Sequence, residues 1–200
     1  MIDHYYTIQG IGQAEYKDRG SRFIGYAFPV VDVDAFKKKL QALKQEHPKA
    51  VHHCFAWRLG ISGDQFRVND DGEPSGSAGR PILGQIDSRE LTQVGLVVVR
   101  YFGGTLLGVP GLIQAYKTTS SLALQTVPRI QCAVMVNYRV EFEYTQLNEV
   151  MRLLKQCSCE LFRQDLQLFS FIEFGVPKHR EQELLYRLED NRSLVITTLK

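Results

Sequence analysis

The stretch VMVNYRVEFEY, residues 134–144, alternates without a break: Val136, Tyr138, Val140, Phe142 and Tyr144 fall on one side and polar residues mostly on the other. A two-residue period of this kind predicts a half-buried strand. The period then changes. In TQLNEVMRLLKQC (145–157), Leu147, Val150, Met151 and Leu154 make one stripe at helical spacing, with Thr145 as the expected N-cap. CELFRQDLQ and LFSFIEFGV read as two further strands, KHREQELLYRLEDN as a helix, and SLVITTLK as a closing strand. The order β-α-β-β-α-β predicts a ferredoxin-like split βαβ domain over residues 134–200.

Residues 1–133 have a different rhythm. Strand-rich segments around Tyr5–Gln9 and Arg22–Val30 flank the turn KDRGS, and VDAFKKKLQALKQEHP has the stripe of an amphipathic helix with Asp32 or Asp34 near its start. HHCFAWRLG predicts a strand, ILGQIDSREL a short helix, and QVGLVVVRYFGG a mostly apolar strand central in its sheet. A long helix is expected over GLIQAYKTTSSLALQTV, and a linker near Pro128–Ala133. The fold class expected is α+β, with sheet packed on helices in each of two domains, 1–133 and 134–200.

Composition narrows the setting. A hydrophobic fraction of 44% suits a globular chain, and the longest apolar runs are far too short to span a bilayer. No basic region followed by an apolar stretch opens the chain, so no secretory signal is expected. Cys54, Cys132, Cys157 and Cys159 form no CxxC and no disulfide framework. A cytoplasmic protein with reduced thiols follows, and no membrane partner. The formal net charge of +2 permits local anion binding without announcing a nucleic-acid protein.

Two glycine-rich segments carry the candidate chemistry. In VNDDGEPSGSAGRP (68–81), Asp70, Asp71 and Glu73 are hard oxygen ligands suited to Mg²⁺, although they lack EF-hand spacing. Asp71-Gly72 is equally a turn dipeptide, and an aspartate there can order the loop by capping backbone amides. Ser77 is the expected N-cap of the following helix, whose amides, with Gly76 and Gly79 allowing close approach and Arg80 beside them, would suit a phosphate. RYFGGTLLGVPG (100–111) leaves a strand, passes Gly103 and Gly104, and enters a helix with Pro110 near its first turn. Neither segment is a Walker A loop or a dinucleotide fingerprint. Both could converge on one anion site with Arg22, Arg80 and Arg100. The pair His52 and His53 points to opposite faces of a strand, so a shared metal ion is not expected. No catalytic residue is assigned, because no nucleophile–base pair or metalloprotease motif is present.

SRFIGYA, HHCFAW, NDDGEPSGSAGRPIL and VVVRYFGGTLLGVPGLIQAY occur in that order over about residues 17 to 117, and together they resemble the IMPACT family, its bacterial YigZ-like members most closely. The resemblance implies an N-terminal domain similar to domain 2 of ribosomal protein S5 and a C-terminal domain similar to domains III and V of elongation factor G. It also implies a connection with translation, which eukaryotic relatives regulate through an additional domain not expected here. Where the family usually has LGxGGL, this chain has Val109-Pro110-Gly111, and proline lacks an amide for a phosphate.

The leading expectation is an RNA- or ribosome-associated protein that modulates translation. Arg22, Arg80, Arg100, Ser77, Gly79, Gly103 and Gly104 would meet phosphate. Tyr101, with Phe102, Phe23 and Trp57, would stack on bases, core packing being the alternative for the last two. His52, His53, Asp70, Asp71 and Glu73 order the loop or belong to the site. No cofactor is expected except under a second reading, a Mg²⁺-dependent enzyme acting on a nucleotide or phosphoester. A third reading is a protein-interaction module. The oligomeric state is left open.

Overall fold

The computed structural model describes residues 2–167, 169–190 and 193–199. Leu168, Asn191 and Lys200, which fall at the ends of expected elements, lie outside the described residues. The chain divides into two compact units, Tyr5–Cys132 and Met1–His4 with Ala133–Lys200. Both are mixed α/β, built on antiparallel sheets.

In the first unit the strands are β1 (His4–Ile8), β2 (Gly12–Asp18) and β3 (Ser21–Pro29), followed by helix α1 (Val33–Glu46). Then come β4 (His52–Leu59), β5 (Gln65–Asn69), α2 (Gly79–Asp87), β6 (Val94–Tyr101), α3 (Gly108–Gln125) and β7 (Arg129–Ala133). Five strands pair antiparallel in the order β2-β3-β6-β4-β5. The three central strands are apolar on both sides because helices cover both faces. Phe23, Ala27, Cys54, Ala56, Leu96 and Val98 pack against α2 and α3. Ile24, Tyr26, Phe28, Trp57, Val97 and Val99 pack against Phe36 and Leu43 of α1. Each large side chain so buried contributes roughly 1.5–3 kcal/mol. Gly95 belongs here: a Cβ would lie 2.6 Å from the Phe36 ring.

Local signals set the element ends. Asp32 caps α1, its carboxylate accepting the Ala35 amide at 2.7 Å. The β2–β3 turn is Arg19-Gly20, both with positive φ, the mirror-image turn that matches strand twist. Two expectations need correction. The expected linker at Pro128–Ala133 is largely strand β7, which pairs with β1 in a two-stranded ribbon. The segment before the acidic loop is an edge strand, β5, in which Phe66 and Val68 alternate with Gln65, Arg67 and Asn69 over only five residues.

The second unit runs β8 (Met135–Glu143), α4 (Leu147–Gln156), β9 (Glu160–Asp165), β10 (Phe169–Pro177), α5 (Glu181–Glu189) and β11 (Val195–Thr198). This is the β-α-β-β-α-β order, with sheet order β11-β8-β10-β9. Tyr138, Val140, Phe142, Ile172, Phe174 and Val176 of the two central strands pack on Val150 and Leu154 of α4 and on Leu184 and Leu188 of α5. Thr145 is not the N-cap. A short 3₁₀ turn precedes α4, held by a reciprocal capping box between Glu143 and Gln146. Among the described residues no helix is long and apolar enough to cross a membrane.

Candidate functional site

The acidic loop is organised by one carboxylate. Asp70 Oδ1 accepts the amides of Ala78 and Gly79 at 3.0 and 2.8 Å, and Oδ2 accepts that of Gly76 at 2.9 Å. The start of α2 therefore holds an anion, and it is the chain's own. Ala78 is the N-cap, not Ser77, whose hydroxyl donates to the Pro74 carbonyl at 2.6 Å. The phosphate cradle expected at Ser77 and Gly79 is thus filled from within. Close packing explains the glycine as well: a Cβ on Gly79 would lie 2.8 Å from the Asn69 amide nitrogen.

Asp71 ties the loop to β4. Its carboxylate accepts the His53 amide at 2.7 Å, and its carbonyl lies 2.7 Å from His52 Nδ1. Asp71 (φ 42°) and Gly72 (φ 91°) make the left-handed turn that the Asp-Gly dipeptide supports. His52 faces the Glu73 side, while His53 sits on the α1 face, where burial holds its imidazole below the usual histidine range. The two histidines do not meet.

Glu73 is the centre of a buried cluster. Only 8% exposed, it accepts Arg100 Nη1 at 2.6 Å and the Tyr116 hydroxyl at 2.7 Å on the same oxygen, with His52 Nε2 3.9 Å away. Cys54 completes the cluster, bonding the Asp70 carbonyl at 3.0 Å and the Tyr116 hydroxyl at 3.3 Å. Burial pushes both the Cys54 thiol and the Tyr116 hydroxyl well up, so both stay protonated at neutral pH and Cys54 is no ready nucleophile. The three acids proposed for Mg²⁺ are engaged separately. Among the described residues no three His, Cys, Asp or Glu side chains converge on a metal position.

The pleat decides where the arginines go. Along β6, Arg100 follows Leu96 and Val98 to the α2/α3 face, with Phe102 just past the strand beside it, whereas Tyr101 follows Val97 and Val99 to the α1 face. Arg22 is registered opposite Tyr101 and shares its face. The expected single anion site of Arg22, Arg80 and Arg100 therefore does not form: Arg22 and Arg100 are on opposite sides of the sheet. Arg100, expected on the surface, is 5% exposed, its guanidinium 5.4 Å from the Phe23 ring centre and 5.6 Å from that of Phe102. Arg80 is exposed on α2 and makes no hydrogen bond or ion pair among the described residues. Phe23 and Trp57 are core residues, which removes them as stacking surfaces.

On the α1 face, Arg22 lies 5.9 Å from the Tyr101 ring centre and pairs with Glu15 at 2.7 Å, which holds the Glu15 carboxyl below the usual range. Lys17 is registered opposite Arg22. Exposed Lys37, Lys38, Lys39 and Lys44 lie along α1, with Lys49 just beyond it. Tyr101 and Tyr26 hydroxyls bracket the His47 ring at 2.9 and 2.7 Å, and burial raises Tyr26 to about 12. Gly103 packs on the β2–β3 turn so closely that a Cβ would lie 1.8 Å from the Gly20 carbonyl carbon, and its amide donates to Ser21 Oγ at 3.2 Å. Gly104, at φ 87°, turns the chain toward α3. Sequence reasoning missed the α1 lysines and Tyr116; the run Lys37–Lys39 was the available signal for the first.

On the other face, a cavity of about 360 Å³ opens between the two glycine-rich segments, lined by His52, Glu73, Arg100, Phe102 and the start of α3.

The family model of the Impact N-terminal domain matches residues 19–124, which span both segments and the sheet between them. The IMPACT family member YigZ of Escherichia coli (strain K12) is 36% identical over 172 residues, 85% of this chain and 84% of that protein. An IMPACT family member of Haemophilus influenzae is 32% identical over 184 residues, covering 90% and 89%. A solved crystal structure of a hypothetical protein is 31% identical, with a TM-score of 0.76 over 100% of this chain and 99% of that one.

Proposed function

The chain belongs to the IMPACT family, and from that premise we propose that it is an RNA- or ribosome-associated protein of the cytoplasm that modulates translation. In this reading Tyr5–Cys132 is similar to domain 2 of ribosomal protein S5, and the β-α-β-β-α-β unit is ferredoxin-like, similar to domains III and V of elongation factor G. One observation carries the binding reading. The Arg22 guanidinium lies over Tyr101 at the end of a sheet face that also presents Lys17 and the lysines of α1. A cation beside an aromatic ring, with further exposed lysines on the helix that covers the same face, suits an unpaired base and its phosphates, although Glu15 pairs with Lys17 and Arg22, Asp34 with Lys37 and Asp71 with Lys44. The backbone contact of Gly103 on Gly20 fixes that edge by holding the β6–α3 loop against the β2–β3 turn.

The test is fluorescence anisotropy of purified protein against tRNA and a single-stranded RNA at two salt concentrations. Phosphate contacts release counterions, so binding is expected to weaken steeply with salt. Arg22→Ala is expected to weaken it severalfold and lower the salt slope by about 1. Arg80→Ala removes the same charge from the other side of the sheet and is expected to leave affinity near wild type. Equal losses for the two variants, or affinity independent of salt, would remove this edge as the RNA surface.

A further inference from the structure

The cavity beside Arg100 plays no part in that reading. Its volume of about 360 Å³ falls in the range of small-molecule sites. Its walls are mainly aliphatic, formed by Val51, Leu106, Leu107, Val109 and Leu112. Two polar features border this apolar space: the start of α3, and Arg100, whose Nε, unpaired among the described residues, is buried beneath the cavity wall.

The first is the start of α3. Its N-cap, Leu107, supplies no side-chain acceptor, and no acid stands in the first turn. The first amides of a helix have no partner within it, and the helix dipole leaves about half a positive charge there. Gly108 and Val109, whose amides are among them, line the cavity.

The second is Arg100 itself. Its bond to Glu73 uses Nη1, and its buried Nε has no partner among the described residues. A buried donor left unpaired is rare in a native protein. The vacant position belongs to the side-on edge of the guanidinium, where Nε and Nη2 point in parallel and take a carboxylate in two bonds. Phe23 on one side is fully buried, while Phe102 on the other is 48% exposed. Phe102 is therefore the neighbour free to move aside.

Charge selects the ligand. Arg100 and Glu73 cancel, so the helix start leaves only about half a positive charge, which favours a monoanion over a dianion. A phosphate dianion would face the Glu73 carboxylate across a poorly solvated space. We propose that the cavity binds a small organic monocarboxylate with an aliphatic body. Its carboxylate takes the Nε edge of Arg100 near the first amides of α3, its chain lies along Leu106, Leu107 and Leu112, and Phe102 closes over it. This site stands on the opposite sheet face from Arg22 and Tyr101.

Hexanoate is the probe, with hexan-1-ol as its uncharged counterpart and hexyl phosphate as the dianion. Titrations of ¹⁵N-labelled protein would follow the arginine Nε–Hε resonances and Tm, with Arg100→Lys identifying the signal. Hexanoate is expected to move the Arg100 resonance saturably and raise Tm, with hexan-1-ol at least about tenfold weaker because it lacks the charge-assisted bonds. Leu106→Asp, at a position 82% exposed on the rim and so neutral to folding, is expected to weaken hexanoate several-fold. The proposal is overturned if hexan-1-ol matches hexanoate, if hexyl phosphate binds more tightly, if Leu106→Asp folds and binds unchanged, or if hexanoate produces no saturable shift in wild type.

Discussion

Replacing Asp70 by alanine removes one carboxylate and leaves three backbone amides without an acceptor. The distances, 2.8 to 3.0 Å, are those of good charge-assisted bonds. Hydrogen bonds to charged groups are worth about 1.5–3 kcal/mol each in favourable cases, and loss of a helix N-cap costs about 1 kcal/mol. The loop is only partly buried, so water can replace part of what is lost. The expected cost is therefore about 2–3 kcal/mol, well below the sum of three bonds. For a protein of this length that corresponds to a fall in Tm of roughly 4–12 °C. Asp70→Asn refines the test. Its amide oxygen can still serve Ala78 and Gly79, which share Oδ1, while its NH₂ group would oppose the Gly76 amide. It should lose about half as much. Thermal and urea denaturation, each in EDTA and in excess Mg²⁺, give the measurement. If Asp70→Ala stayed within about 0.5 kcal/mol of wild type, the account of the loop as self-capped would be wrong. If wild type gained Tm on adding Mg²⁺ and Asp70→Ala did not, the carboxylate would be a metal ligand in solution.

Two further outcomes follow from the buried cluster and from β4. Glu73→Gln removes the only carboxylate bonded to Arg100 among the described residues and leaves a buried guanidinium unpaired, so a loss of about 3 kcal/mol is expected in urea denaturation; a neutral result would show that Arg100 escapes to water. His53 is held neutral by burial, its folded pKa lying below the ordinary 6.5. The unfolded chain then binds more protons as pH falls through 6.5, so stability is full above that value and is lost between 6.5 and the lower folded pKa. His53→Gln should flatten that part of the pH–stability curve, and an unchanged slope would assign the dependence to another group.

Much of the fold was legible because it rests on local patterns. The switch from alternation in VMVNYRVEFEY to a helical stripe in TQLNEVMRLLKQC marks β8 and α4 without reference to anything distant. Asp32 caps a helix only three residues ahead. The missed elements are short strands that bury little. β5 exposes Gln65, Phe66 and Arg67 and packs only Val68 on the core, and β7 is five residues paired with β1.

For the site, the sequence alone determined that two glycine-rich turns flank a buried strand, that Asp71-Gly72 makes a left-handed turn, and that His52 and His53 point apart. Those follow from backbone sterics and strand alternation. Only tertiary structure decided that Asp70 caps the start of α2, that Glu73 pairs with Arg100 across 27 residues, and that Tyr116 adds the second bond across 43. It also decided which face each arginine takes. A run such as Val-Arg-Tyr-Phe specifies alternation but not which of its two sides meets α1. That choice depends on where α1, α2 and α3 pack, and their packing is set by apolar burial summed over the whole unit.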